Sequence, residues 1–246
     1  MSPEEYPETN VISFIASDFV DGNREIDKSR LGETLPLLPL RNTIVFPGST
    51  LPVSVGRKKS LDLIKSLGKK QKYVGLVCQK DFTVDDPEGS DLYPVGVIAE
   101  VIRVIELGDN NVSIIVQAKE RFEWQQIIQT EPYMKSTFKL RDYLKASKDD
   151  KEFKAILDSI RESLLHMLHM LGEPPRELVQ TLNSESFSDM LISYSGTNLP
   201  LEGHEKQELL SINDEKEQAY RLLMILNRES QALELKMNIQ MKTRED

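Results

Sequence analysis

The sequence predicts an α+β protein, with a β-rich domain over residues 35–144 followed by an all-helical subdomain over 145–246 that ends in a long helix. Three observations predict it. Between Val112 and Lys119, the residues Val112, Ile114, Val116 and Ala118 alternate with Ser113, Ile115, Gln117 and Lys119, the period-two pattern of a sheet covered mostly on one face. After Lys145 the period changes: Phe153, Ile156, Leu157, Ile160, Leu164, Met167, Leu168 and Leu171 share one helical face. From Asp214 to Asp246 the chain then runs 33 residues without glycine or proline, about 50 Å of helix.

Composition bounds the class. At 246 residues, 39% hydrophobic and 29% charged, the chain resembles ordinary globular proteins and can bury a sizeable core with no metal or disulfide. A formal net charge of -9 and a pI near 5.1 repel phosphate backbones, which argues against nonspecific nucleic-acid or anionic-membrane binding. The single cysteine, Cys78, ends an apolar run from Tyr73 and reads as a small buried hydrophobe; with no possible disulfide framework, the expected compartment is reducing. The apolar stretch Val11–Val20 is interrupted by Asp18 and lacks a preceding cationic segment. It resembles neither a signal peptide nor a membrane span, so the expected localisation is cytoplasmic.

In chain order, residues 1–34 carry eight acidic and three basic side chains and read as a mobile acidic tail. The apolar insert Val11, Ile12, Phe14, Ile15, Phe19 and Val20 is open between docking on a neighbouring subunit and incidental hydrophobes. Strand-like runs follow at Val53–Val55, Tyr73–Gln79, Val95–Ile105, Val112–Lys119 and Met134–Tyr143. Gly108, Asp109, Asn110 and Asn111 tolerate positive φ, so they join two of these runs as an antiparallel hairpin. One helix is inserted between Lys58 and Leu67, with Leu61, Ile64 and Leu67 on one face and Gly68 as its stop. In the second half, Gly172 and Pro174-Pro175 end the first helix; shorter helices follow at Pro175–Leu182 and Ser184–Tyr194, the latter closed by Gly196. Asp214 followed by Glu217 opens the last helix as a capping-box-like start. Its end, Lys242-Thr243-Arg244-Glu245-Asp246, has no stop signal, and reads as helix that continues past Asp246.

The motifs of nucleotide and hydrolase chemistry are missing from the sequence. Gly68-Lys69-Lys70 is the nearest approach to a phosphate-cradling loop, and Leu63 stands where its first glycine would be. No dinucleotide-binding glycine pattern or nucleophile elbow occurs. His166 and His169 sit three apart on the polar side of a helix, and read as solvated residues because only His204 remains as a third imidazole; no metal is assigned. Asp85-Asp86 and Asp149-Asp150 read as solvated turns, and Met167 and Met224 as core, since they share faces with leucines. Four residues are candidate contacts for extended polypeptide: Phe46, Pro47, Tyr93 and Trp124. Each aromatic ring among them is open between that role and core packing.

The run Leu35-Pro36-Leu37-Leu38-Pro39-Leu40-Arg41-Asn42-Thr43-Ile44-Val45-Phe46-Pro47-Gly48, continuing through Leu51-Pro52-Val53-Ser54-Val55-Gly56-Arg57, closely resembles the opening of the N-terminal domain of Lon proteases. Its prolines favour extended, edge-like backbone, Pro47-Gly48 fits a type II turn, and Gly56 ends a short strand. Val74–Lys80, Asp91–Ala99, Leu182-Asn183 and Leu199–Leu210 resemble later parts of that family in the expected order. Ala118 departs from it, standing where the family usually has glycine before the position of Arg121.

The resemblance implies a PUA-like β domain and a helical subdomain whose last helix leads into an AAA+ module, which uses ATP and magnesium, and then a serine-lysine peptidase module, both beyond residue 246. It further implies recognition of unfolded, damaged or tagged protein substrates and support of a homohexamer, with no catalytic, cofactor-binding or metal-binding residue in this chain. A free-standing adaptor built on the same domain is the alternative. RNA binding by analogy with PUA folds conflicts with the acidic charge.

Overall fold

The computed structural model describes residues 25–68, 72–108 and 111–245. Six strands come first: β1 (Thr34–Leu40), β2 (Thr50–Val55), β3 (Tyr73–Cys78), β4 (Val95–Gly108), β5 (Asn111–Gln129) and β6 (Lys135–Leu140), with helix α1 (Lys58–Ser66) between β2 and β3. They pair in the order β2-β5-β4-β3-β1-β6, and β6 also pairs with β5. Five strands therefore close a ring, and β2 lies outside it against β5. Closure removes most of the unpaired edges that an open sheet would leave. Helices α2 (Lys151–Leu171), α3 (Arg176–Asn183), α4 (Leu191–Asn198), α5 (Gly203–Ser211) and α6 (Glu215–Glu245) complete the described α-helices, and the 3-10 turn Glu185–Met190 takes the first part of the helix expected at Ser184–Tyr194. The α+β expectation holds, with the helices where the change of period places them.

Contacts divide the chain into two compact units, one containing the strands up to Asp142 together with Leu199–Ser211, the other Tyr143–Asn198 with Ile212–Asp246. The expected boundary, with all of 145–246 in one helical subdomain, therefore differs at α5. Its Gln207 Nε2 donates to Val95 O at 2.9 Å, satisfying a carbonyl at the start of β4, and Ser211 O accepts from Arg141 Nη2 at 3.0 Å. Lys206, on the same helix, is half-buried, and burial pushes its pKa down to about 8 from 10.5. Below pH 8 the folded protein carries the cost of this desolvated charge in full. That cost is relieved as pH rises from about 8 to 10.5, because only the unfolded chain still holds the proton there. Between pH 8 and 10.5 the parent should accordingly gain about 1–3 kcal/mol of stability that Lys206→Met does not, read in urea titrations of the two proteins.

The expected tail is also shorter at its inner end. Residues 1–24, with the apolar insert, lie outside the described residues, but Ile26 is buried in the β core and Asp27 N donates to Tyr73 Oη at 3.1 Å. Asp27 also caps the short turn Lys28–Arg30 by accepting from Ser29 N. β1 is extended as expected, but it lies within the ring between β3 and β6 rather than at an edge. Its first half pairs only with β6 and its second half with β3, so each proline nitrogen can face the unpaired side.

The interior of the ring is built around Phe122, fully buried with Leu35, Leu37, Leu92 and Ile98. Gly75 and Gly96, on adjacent strands, leave room for its ring: a Cβ on Gly75 would lie 2.5 Å from Phe122 Cζ, and one on Gly96 would lie 2.3 Å from Leu76 O and 2.9 Å from Phe122 Cε1. Pro47-Gly48 forms the expected turn, with Gly48 at φ 90 and Ser49 N donating to Phe46 O at 3.3 Å. The hairpin expected at 108–111 is present as the pair Gly108↔Asn111, its two central residues lying outside the described ones.

In the helical unit, Asp150 caps α2 by accepting from Glu152 N and Phe153 N, both at 3.0 Å. The pair read as a solvated turn therefore starts a helix, and hydrogen bonding to Lys216 holds the Asp150 carboxyl below its usual range. Contacts step along α2 and α6 in the same direction, Asp150 with Lys216, Ser163 with Asn227, His166 with Glu234, so the two helices pack in parallel. The apolar stripe of α2 is buried from Phe153 through Leu164 and then thins, leaving Leu171 exposed. Met224 is exposed, which corrects its placement in the core: the inward face of α6 is Ala219, Leu222, Ile225 and Leu226. Gly196 does not stop α4, which runs to Asn198 before Pro200 breaks it. Asp214 Oδ1 accepts from Glu217 N as the capping pattern predicts. The buried Glu215 carboxylate then accepts from Ala146 N at 2.9 Å and from Lys145 Nζ at 2.7 Å. Removing it in Glu215→Ala orphans a backbone donor, and should cost about 2 kcal/mol in urea unfolding.

Candidate polypeptide-binding surface

The four sequence-based contact candidates do not form one site. Phe46 is 0% exposed, so its assignment as a substrate contact is corrected: its side chain belongs to the core, locked by the turn whose Gly48 N donates to Ala118 O. Pro47, beside it, is half-buried. Tyr93 and Trp124 are brought together, Trp124 Nε1 donating to Tyr93 O at 2.9 Å, but the indole also packs inward against the Phe122 cluster. Burial raises the Tyr93 phenol above its usual range. Cys78 is buried and burial raises its thiol, an unreactive setting. His166, His169 and His204 are exposed, and no metal-holding group of side chains occurs among the described residues.

A cleft of about 360 Å³ is lined by, among others, Arg57, Lys59, Asp86, Glu131, Tyr133 and Met134. Its charges are largely spent on one another. Arg57 Nη2 donates to the neutral amide oxygen Gln79 Oε1 while Asp85 and Asp86 act on its charge, and Lys59 Nζ lies 2.9 Å from Asp86 Oδ2 and 3.0 Å from Glu131 Oε1, hydrogen bonds that raise its pKa. Arg41 holds Asp85 in the same way. Such exposed pairs stabilise little and bring no excess charge toward a ligand.

A different surface stands out. The first half of β5 projects with β2 on one side, in the register Thr50↔Gln117 to Val55↔Val112, and the second half of β4 on the other, in the register Arg103↔Ile115 to Glu106↔Val112. Ile114 and Val116, in the middle strand, are fully buried. Every residue from Ile102 to Gly108 is exposed, including Ile102 at 51%, Val104 at 49% and Leu107 at 62%, with Ile105 beside them. β3 pairs with β4 only as far as Tyr73↔Glu100, with Val101 N donating to Lys72 O. Beyond that point, among the described residues, no strand covers the far side of β4. The other edge left unpaired among the described residues, β2, is blunted by Pro52; β4 carries no proline. An exposed apolar edge of this kind is uncommon on a folded protein without a partner. Sequence reasoning found the strand but not its exposure, because a run of Val and Ile reads as core until its neighbours are known.

Residues 34–228 match the family model described as the ATP-dependent protease La (LON) substrate-binding domain. The chain is 43% identical over 232 residues to a Lon protease of Parabacteroides distasonis, covering 94% of this chain and 28% of that protein. It is 42% identical over 228 residues to the Lon protease of Porphyromonas gingivalis, covering 92% and 27%. It thus spans a little over a quarter of the relatives it matches. In fold it is similar to the N-terminal domain of the Mycobacterium avium complex Lon protease, at a TM-score of 0.58 and 20% identity, over 80% of this chain and 98% of that one. A Lon N-terminal domain protein from Xanthomonas campestris superposes at a TM-score of 0.54 and 16% identity, covering 79% and 97%.

Proposed function

This chain belongs to the family of ATP-dependent protease La (LON) substrate-binding domains, and from that premise we propose that it is the non-catalytic substrate-recognition region of an ATP-dependent serine protease. Its substrates would be unfolded, damaged or tagged proteins in the cytoplasm. The observation that carries this reading is the apolar edge Ile102–Leu107, carried by β4 on its pairing with β5 and matched in character by the apolar segments that unfolded proteins expose. ATP and magnesium would act in an AAA+ module of the parent protein, and this region would support its homohexamer. None of this chain's residues takes a chemical role. No helix among the described residues is long and apolar enough to cross a membrane.

The reading is tested by titrating the chain against fluorescein-labelled, reduced and carboxymethylated lactalbumin by anisotropy, with native lactalbumin as the folded control. Saturable binding of the unfolded form alone supports recognition. Equal or absent binding of both forms removes it.

A further inference from the structure

We propose that unfolded polypeptide binds this chain by strand addition, pairing its backbone with the outer edge of β4 between Ile102 and Gly108. This rests on the reading above that the chain recognises unfolded polypeptide. In an antiparallel ladder every second residue directs its N–H and C=O away from the partner strand, so the side of β4 opposite β5 carries a row of such groups. A strand is the ligand that satisfies them, and it does so without reading sequence, as a receptor for many unfolded proteins requires. Side chains supply the rest. Val104 and Ile105, in the regular part of the ladder, fall on opposite faces, so an added strand meets apolar surface above and below the sheet. Arg103 and Glu106 add one charge of each sign and select for neither.

One feature favours a flexible segment over a second copy of this chain as the occupant. Register irregularities between Val101/Arg103 and Glu106/Gly108 bracket the edge and bend it, a path that a disordered strand follows more readily than a second rigid edge.

The test uses the whole chain and a fluorescein-labelled peptide of alternating valine and serine, long enough to span Ile102–Gly108. The peptide is N-methylated at one position at a time. Strand addition predicts a period-two pattern, with alternate methyl groups weakening binding roughly tenfold and the others leaving it within about twofold. Val104→Lys, on an exposed site, should weaken both this peptide and carboxymethylated lactalbumin by roughly tenfold while leaving the circular dichroism unchanged. Binding that is indifferent to N-methylation overturns strand addition but leaves recognition of unfolded protein standing. Absence of binding to lactalbumin and peptide alike overturns both. Sedimentation showing a dimer of the chain that Val104→Lys dissociates would make a second copy the occupant, and would overturn the proposal as well.

Discussion

Gly96→Ala is expected to destabilise the β domain by more than about 3 kcal/mol, read as a fall in the urea midpoint or as failure to fold. The added Cβ would lie 2.3 Å from the carbonyl oxygen of Leu76, 2.7 Å from Val77 Cγ1 and 2.9 Å from Phe122 Cε1. The first of these is backbone in the neighbouring strand, where β3 and β4 pair from Tyr73↔Glu100 to Leu76↔Val97. It cannot retreat without opening that ladder, and the ring of strands ties the ladder to β1 and β5 as well. A cost below about 1 kcal/mol would mean that the strands separate far more easily than their pairing implies. Gly75→Ala is the informative contrast. Its nearest obstacles are the tip of Phe122 at 2.5 Å and two leucine methyls, all of them side chain. Shortening Phe122 to leucine should therefore rescue Gly75→Ala more completely than Gly96→Ala, where the carbonyl remains.

Phe122→Ala is expected to cost about 3–5 kcal/mol, by lost transfer energy and by the cavity it leaves. The site has little means of collapsing. Phe122 stands on β5 directly opposite Gly96 and above Gly75, neither of which has a side chain to fill the space, and its ring meets Phe138 edge-on at 6.2 Å. Circular dichroism and urea titration would measure the loss. A change under about 1.5 kcal/mol would indicate that Leu35, Leu37 and Ile98 repack into the gap. Because this core fixes the register of β4 on β5, Phe122→Ala should also weaken peptide binding at Ile102–Gly108, which Val104→Lys weakens without any loss of stability.

Legibility in the sequence tracked how local each determinant was. Helix α2 was readable because Phe153, Ile156, Leu157, Ile160 and Leu164 recur at the helical period, and all five are buried. The turn at Pro47-Gly48 was readable because φ near 90 is a property of glycine. β1 was harder to read as a strand: its two prolines disfavour a ladder, and only its split pairing accommodates them. The C-terminal half of β5 was missed because Glu120, Glu123, Gln125 and Gln126 break the alternation, and pairing with β6 carries the strand on to Gln129. Phe46 was misplaced for a related reason, since its ring is equally suited to core and to contact and nothing nearby in the chain distinguishes the two.

The sequence by itself determined the order and type of most elements, the family, and the lack of any recognised nucleotide or hydrolase motif, because these reside in periodicity, capping residues and short contiguous patterns. The tertiary structure alone decided which apolar residues are exposed, that α5 joins the strands, and that β4 outruns β3 to leave an edge open among the described residues. Burial and edge status are properties of pairs of strands distant in sequence. Val104 and Val116 are chemically the same residue, and only their places in the sheet, one at an edge and the other in the middle strand on its covered face, make one of them core.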